Sequence, residues 1–128
     1  MDLLLDTHPF IWFMNGDDRL PADLKNKISD ISNRCLLSIA SLWEIAIKTS
    51  LGKLSLNGDF NQVASFLSDN EIELLPITFE HLERLMQLPF HHKDPFDRII
   101  IAQGLTEGLP VATKDSFFTD YTITCIWH

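Results

Sequence analysis

Apolar residues fall along this chain in two alternating patterns. Short runs that are apolar almost throughout occur at Leu3-Leu4-Leu5, Cys35-Leu36-Leu37, Ile72 to Ile77, Val111-Ala112 and Ile123 to Trp127. Runs of that length suit strands covered on both faces, although short buried helix segments carry the same pattern. Between them lie longer stretches with apolar residues at helical spacing: Pro9 to Met14, Pro21 to Ile31, Ala40 to Leu51, Phe60 to Leu67, Phe79 to Leu88 and Pro95 to Leu105. Gly52 and Gly108 sit where helix ends want a left-handed residue. Strands alternating with helices predict an α/β fold, a parallel sheet of four to five strands flanked by helices on both faces and joined by right-handed crossovers. Glycines and prolines are scattered singly, with Asn57-Gly58-Asp59 the plainest loop, and no repeat or linker divides the chain. Residues 1–128 are therefore expected to form one domain.

Composition narrows the setting. A content of 45% hydrophobic and 22% charged residues predicts a packed core. Cys35 and Cys125 each lie in an apolar run, which suits buried free thiols in a reducing compartment; a disulfide is possible but not needed. The start, Met1-Asp2-Leu3-Leu4-Leu5-Asp6, lacks a basic leader region, and no apolar run nears the ~20 residues of a membrane span, so a cytoplasmic protein is expected. Ten Lys and Arg against eighteen Asp and Glu leave a formal charge of −8. Bulk electrostatics then oppose affinity for a polyanion, unless several acids converge on cations and invert the local field. Where the carboxylates fall becomes the question, and in open α/β sheets ligands collect outside the carboxyl ends of the strands.

Asp6 follows the first apolar run directly, before Thr7 and the first helical stretch, and reads equally as a helix N-cap. Glu44 lies within an apolar helix, sharing a polar stripe with Ser41 and Lys48; an exposed Glu44–Lys48 pair is the ordinary explanation. Ser38 and Ser41 suit caps or supporting hydroxyls. Asp94 precedes Pro95, the arrangement of an N-cap followed by proline at the first helical position, with Asp97 at the third, as in a capping box. Asp115 closely follows the run at Val111-Ala112 and could cap a short helix beginning at Ser116. Acids just past two strands, Asp6 and Asp115, would be brought together if those strands were neighbours. Four or five carboxylates at one sheet edge repel one another unless a cation holds them. An all-oxygen site suits Mg²⁺ or Mn²⁺, and activation of water for attack on a phosphodiester is chemistry such a site supports.

Four segments, Leu4-Leu5-Asp6-Thr7, Ser41-Leu42-Trp43-Glu44-Ile45-Ala46-Ile47-Lys48, Asp94-Pro95-Phe96-Asp97-Arg98 and Ala112-Thr113-Lys114-Asp115, in this order and spacing, resemble the PIN-domain nucleases across essentially the whole chain. The stretch Glu44 to Leu56 and the segment at Asp94 resemble the VapC-type toxins among them. The resemblance implies a Mg²⁺- or Mn²⁺-dependent endoribonuclease acting on single-stranded or looped RNA as the toxin of a toxin–antitoxin pair. Asp6, Glu44, Asp97 and Asp115 match the family's acids, Thr7 a small hydroxyl beside the first, and Asp94 a fifth ligand or only a cap. It further implies a homodimer and a cognate antitoxin whose C-terminal segment binds near the pocket. Lys48, His91, His92, Lys93, Arg98 and Lys114 are candidates for phosphate contacts, with solvated surface charge as the competing explanation. Trp12, Phe13, Trp43 and Phe60 could supply apolar contact surface, or simply core.

Two other enzyme or signalling classes fit less well. A Mg²⁺-dependent phosphatase of the haloacid dehalogenase kind wants a second Asp two positions after the first, where this chain has His8. A phosphorelay receiver needs an acceptor Asp after the third strand, and Pro76-Ile77-Thr78 offers none. A non-catalytic binding module whose acids serve only as caps remains the alternative from a different class.

Overall fold

Leu3, Leu4 and Leu5 are all wholly buried, which requires cover on both faces of the strand that carries them. The computed structural model, which describes residues 1–128, supplies that cover. Five strands, β1 (Asp2–Leu5), β2 (Arg34–Ser38), β3 (Ile72–Leu75), β4 (Val111–Ala112) and β5 (Cys125–Ile126), form one sheet in the order β3-β2-β1-β4-β5. Every pairing is parallel. The helices are α1 (Thr7–Asn15), α2 (Ala22–Ser29), α3 (Ile39–Ser50), α4 (Gln62–Asp69), α5 (Phe79–Gln87) and α6 (Pro95–Glu107), with a short 3-10 helix at Ser116–Asp120.

Side chains alternate across the sheet into two cores. Leu3, Leu5, Cys35 and Leu37 pack with Phe10 of α1 and Leu24 of α2. Leu4, Leu36 and Val111 face the other way onto Ile99 to Ala102 of α6. Burying strands on both faces is what makes their runs continuously apolar.

Two expectations need adjusting at their ends. The third run was expected to extend to Ile77, but β3 stops at Leu75, because Pro76 has no N–H to continue a ladder. The last strand holds only Cys125–Ile126 of the five-residue run. The helices otherwise lie within two residues of their expected bounds, and Gly108 closes α6 at φ 66°, the left-handed conformation its position called for. Cys35 is a buried free thiol, its pKa pushed up to about 11 by burial. Cys125 is also free but only half-buried, on the short edge strand β5, against the expectation of burial. With β1 and β4 between β2 and β5, the two thiols do not pair. No helix is long and apolar enough to cross a membrane.

Candidate metal centre

The strand order makes β1 and β4 neighbours, with Leu5 opposite Ala112, so Asp6 and Asp115 emerge at the same sheet edge. Asp6 caps α1: one carboxylate oxygen accepts from the Thr7 N–H at 2.8 Å. Its second oxygen accepts from the Thr113 hydroxyl at 2.8 Å. Thr113 in turn accepts from the Asp115 N–H at 3.0 Å, tying the two acids together. Asp115 caps the 3-10 helix through one oxygen, 2.9 Å from the Phe117 N–H. Thr113, which sequence reasoning did not single out, thus joins two of the candidate acids; its place within Ala112-Thr113-Lys114-Asp115 was the available signal.

Asp94 caps α6, one oxygen accepting from the Phe96 and Asp97 N–H groups at 2.9 and 3.4 Å. The reciprocal half of the expected capping box is not made. Asp97 turns away from the helix start, and its carboxylate meets His92 Nε2 at 2.7 Å. Burial pushes the Asp97 carboxyl up to about 7; the His92 hydrogen bond pulls it down, and the charges of Asp6, Asp94 and Asp115 push it further up. Asp6 is also raised, first by burial and least by Asp115, against the hydrogen bonds from Thr113 and Thr7 and the charge of His8. The structure therefore brings Asp6, Asp94, Asp97 and Asp115 within electrostatic reach of one another.

Glu44 is joined to that group through packing. It is buried at 6% exposure and not on the surface as the ordinary pair would have it, while Lys48 donates to its Oε2 at 2.8 Å. Ser41, one turn earlier, accepts from the Thr7 hydroxyl at 2.9 Å and links α3 to the segment beside Asp6. The Trp43 and Phe96 rings meet edge-on at 5.3 Å, holding α3 against the start of α6.

The basic candidates divide. Arg98 is buried, and its guanidinium donates to the carbonyls of Pro89 (2.9 Å), His92, Leu85 and Leu88 (3.4 Å each) and to the Tyr121 hydroxyl (3.3 Å). A group engaged in this way has no reach to a phosphate; it pins the Pro89–His92 loop instead. His92 is engaged with Asp97, and Lys48 with Glu44. Lys93 and Lys114 are exposed, and His91 packs its ring edge-on to Tyr121 at 5.1 Å. Among the aromatics, Trp12 and Phe13 pack against the core, whereas Trp43 and Phe60 are exposed.

The donor set fits a divalent ion. One oxygen each of Asp94, Asp97, Asp115 and Glu44 has no hydrogen-bond partner within the protein. Ligand atoms of His92, Asp94 and Asp97 all lie within 4.8 Å of one another. Partly buried carboxylates at such spacing suit hard, oxygen-seeking cations.

Three solved structures share the fold over nearly their whole lengths. The chain is similar to one in VapBC2 from Rickettsia felis bound to a DNA fragment from their promoter, with a TM-score of 0.76 and 16% identity over 98% of each chain. It is similar to one in FitAcB from Neisseria gonorrhoeae, with a TM-score of 0.67 and 21% identity over 98% of this chain and 99% of that one. A chain of VapBC-1 from nontypeable Haemophilus influenzae matches with a TM-score of 0.68 and 17% identity, covering 98% and 97%. No curated protein matches the sequence significantly. The family model of the PIN domain matches residues 3–123, from the first buried leucine of β1 to just before β5, and so the chain belongs to the PIN-domain family.

Proposed function

We propose that this PIN-domain protein is a divalent-metal-dependent endoribonuclease, the growth-inhibiting toxin of a toxin–antitoxin pair, with residues 1–128 acting as one domain. The observation that carries the reading is the convergence of Asp6, Asp94, Asp97 and Asp115 at one sheet edge, where burial first and then the charges of the other three push the Asp97 carboxyl up to about 7. Such repulsion is costly in a folded protein and is relieved by a bound cation. Asp97, Asp115, Asp94 and Glu44 would hold Mg²⁺ or Mn²⁺ through their unpartnered oxygens, with Asp6 positioned by Thr7 and Thr113. A bound divalent ion supplies a Lewis acid for the phosphodiester and lowers the pKa of water. Lys93 and Lys114, exposed beside Asp94 and Asp115, would contact the flanking phosphates.

The toxin role rests on the resemblance of the stretch Glu44 to Leu56 and of the segment Asp94 to Arg98 to VapC-type toxins, and on a fold shared with chains of VapBC and FitAcB complexes. It carries a cognate antitoxin as partner and the cytoplasm as setting. A homodimer is supported by an exposed apolar stripe of Ile39, Trp43 and Ile47 on α3 and Leu51 at its C-cap, at four-residue spacing.

The test is cleavage of a mixed pool of structured and messenger RNA by antitoxin-free protein in Mn²⁺, in Mg²⁺ and in EDTA. Cutting that needs metal and is lost in Asp6→Asn supports the nuclease. A second reading, a non-catalytic binding module, is favoured by the caps that Asp6, Asp94 and Asp115 make. Absence of cutting, with no thermal stabilisation by millimolar Mn²⁺, would establish that reading instead.

A further inference from the structure

His92 lies in the loop between α5 and α6, and it is held from two sides. Its ring stacks on Phe117 at 4.7 Å and 12°, and Phe117 belongs to the 3-10 helix that Asp115 caps. Its backbone carbonyl and that of Pro89 accept from the Arg98 guanidinium. With face and backbone fixed, the ring edge bearing Nε2 points at the Asp97 carboxylate, 2.7 Å from its Oδ2.

A histidine that only oriented Asp97 from behind would have one carboxylate within reach. Here one ring nitrogen of His92 and one oxygen each of Asp94 and Asp97 all fall within 4.8 Å of one another, so the imidazole stands within reach of two acids. An octahedral ion with bonds of about 2.1 Å sets neighbouring donors about 3 Å apart and opposite donors about 4.2 Å apart. The 2.7 Å between His92 and Asp97 and the 4.8 Å outer limit of the three donors bracket those separations, and side-chain movements would bring them onto one ion.

Resting on the metal-dependent reading above, we propose that His92 is a nitrogen donor to the divalent ion held by Asp94 and Asp97, giving the site a preference for Mn²⁺ over Mg²⁺. Mg²⁺ takes oxygen donors and releases water reluctantly, so an imidazole adds little to its binding. A first-row transition ion gains from the nitrogen, and Mn²⁺ is the one that otherwise favours oxygen-rich octahedra.

The experiment uses the whole chain loaded with Mn²⁺ alone. Pulsed electron paramagnetic resonance of the wild type should detect a directly bonded nitrogen by its hyperfine coupling. That signal should vanish in His92→Gln and persist in His91→Gln. Calorimetry should find Mn²⁺ affinity lowered about tenfold in His92→Gln, with Mg²⁺ affinity changed by less than about threefold. Glutamine can keep a hydrogen bond to Asp97, and the spectrum of the wild type needs no variant to fold. Mn²⁺ bound without a nitrogen coupling, or an unchanged ratio of affinities in His92→Gln, overturns this proposal while leaving the metal-dependent reading intact. A wild type that binds no Mn²⁺ overturns both.

Discussion

Replacing Asp97 by asparagine should stabilise the metal-free protein at neutral pH while abolishing its activity. Unfolded, Asp97 ionises near 3.8; folded, burial and then the charges of Asp6, Asp94 and Asp115 keep it protonated up to about 7, against the pull of His92. Between those values the native state holds a proton that the unfolded state has lost, so this group makes stability fall as pH rises. Below the lower value both states are protonated and nothing is lost; above the upper value the loss is complete. The gap between 3.8 and about 7, at about 1.4 kcal/mol per pH unit, sets a ceiling of about 4 kcal/mol. The side chain is 16% exposed, so water screens part of that, and a difference on the order of 1–3 kcal/mol is expected. Asparagine keeps the shape and can still meet His92, but carries no charge. Urea unfolding in EDTA should find Asp97→Asn more stable than wild type at about pH 8, the gap closing towards about pH 4.5. Mn²⁺ at about a thousandfold excess over Kd should reverse the order, since only the wild type gains by mass action, about 4.1 kcal/mol. A variant no more stable than wild type at the higher pH, or a difference independent of pH, would refute the reasoning.

Thr113→Val removes the hydroxyl that donates to Asp6 and accepts from Asp115; urea unfolding should find a loss of about 1–3 kcal/mol, accompanied by weaker Mn²⁺ binding in calorimetry. Asp94→Asn should keep the α6 cap and the metal-free melting temperature but lose about tenfold or more in metal affinity, whereas Asp94→Ala should lower both. Arg98→Lys should cost about 2–4 kcal/mol in urea unfolding, because an ammonium cannot serve the carbonyls that the guanidinium fork spans. Gly104→Ala should destabilise, although alanine is normally the better helix former by about 1 kcal/mol. A Cβ there would stand 2.4 Å from Ile123 Cδ1 and 3.2 Å from the Leu109 carbonyl oxygen, so a loss on the order of 1–3 kcal/mol is expected, read as a lowered melting temperature.

The parts of the fold legible in the sequence are those fixed by local physics. Leu3-Leu4-Leu5 and Val111-Ala112 read as doubly covered strands because both faces are apolar, and Asp94-Pro95 reads as a helix start because proline at N1 costs no hydrogen bond. Sheet order was not legible, since it depends on which strand pairs with which, and any permutation satisfies the same runs. The same limit applied to the side-chain network. Thr113 meets Asp6 across 107 positions, and no spacing rule reaches that far. Arg98 read as a surface cation because arginines usually are; only the loop folding back over α6 supplies the carbonyls that bury it. His92 and Asp97 are five apart, but their pairing depends on a loop conformation that Arg98 and Phe117 impose.

The structural and functional explanations of the acids turn out to share one cause. In a parallel sheet each strand's carboxyl end feeds a helix N-terminus at the same edge, so an acid that caps one helix is delivered beside acids that cap others. Asp6 and Asp115 are such caps, and Asp94 caps α6, which follows α5 and not a strand; capping by itself uses one carboxylate oxygen. What separates a capping acid from a metal-holding one is the other oxygen. In Asp94 and Asp115 it is left without a partner, and Asp97, which caps nothing, is drawn to His92 instead. On the proposed reading, a chain of net charge −8 would meet a polyanion where a cation neutralises the acids at the point of contact. Neutralising them singly, as Asp97→Asn does, should relieve the repulsion and forfeit the cation together.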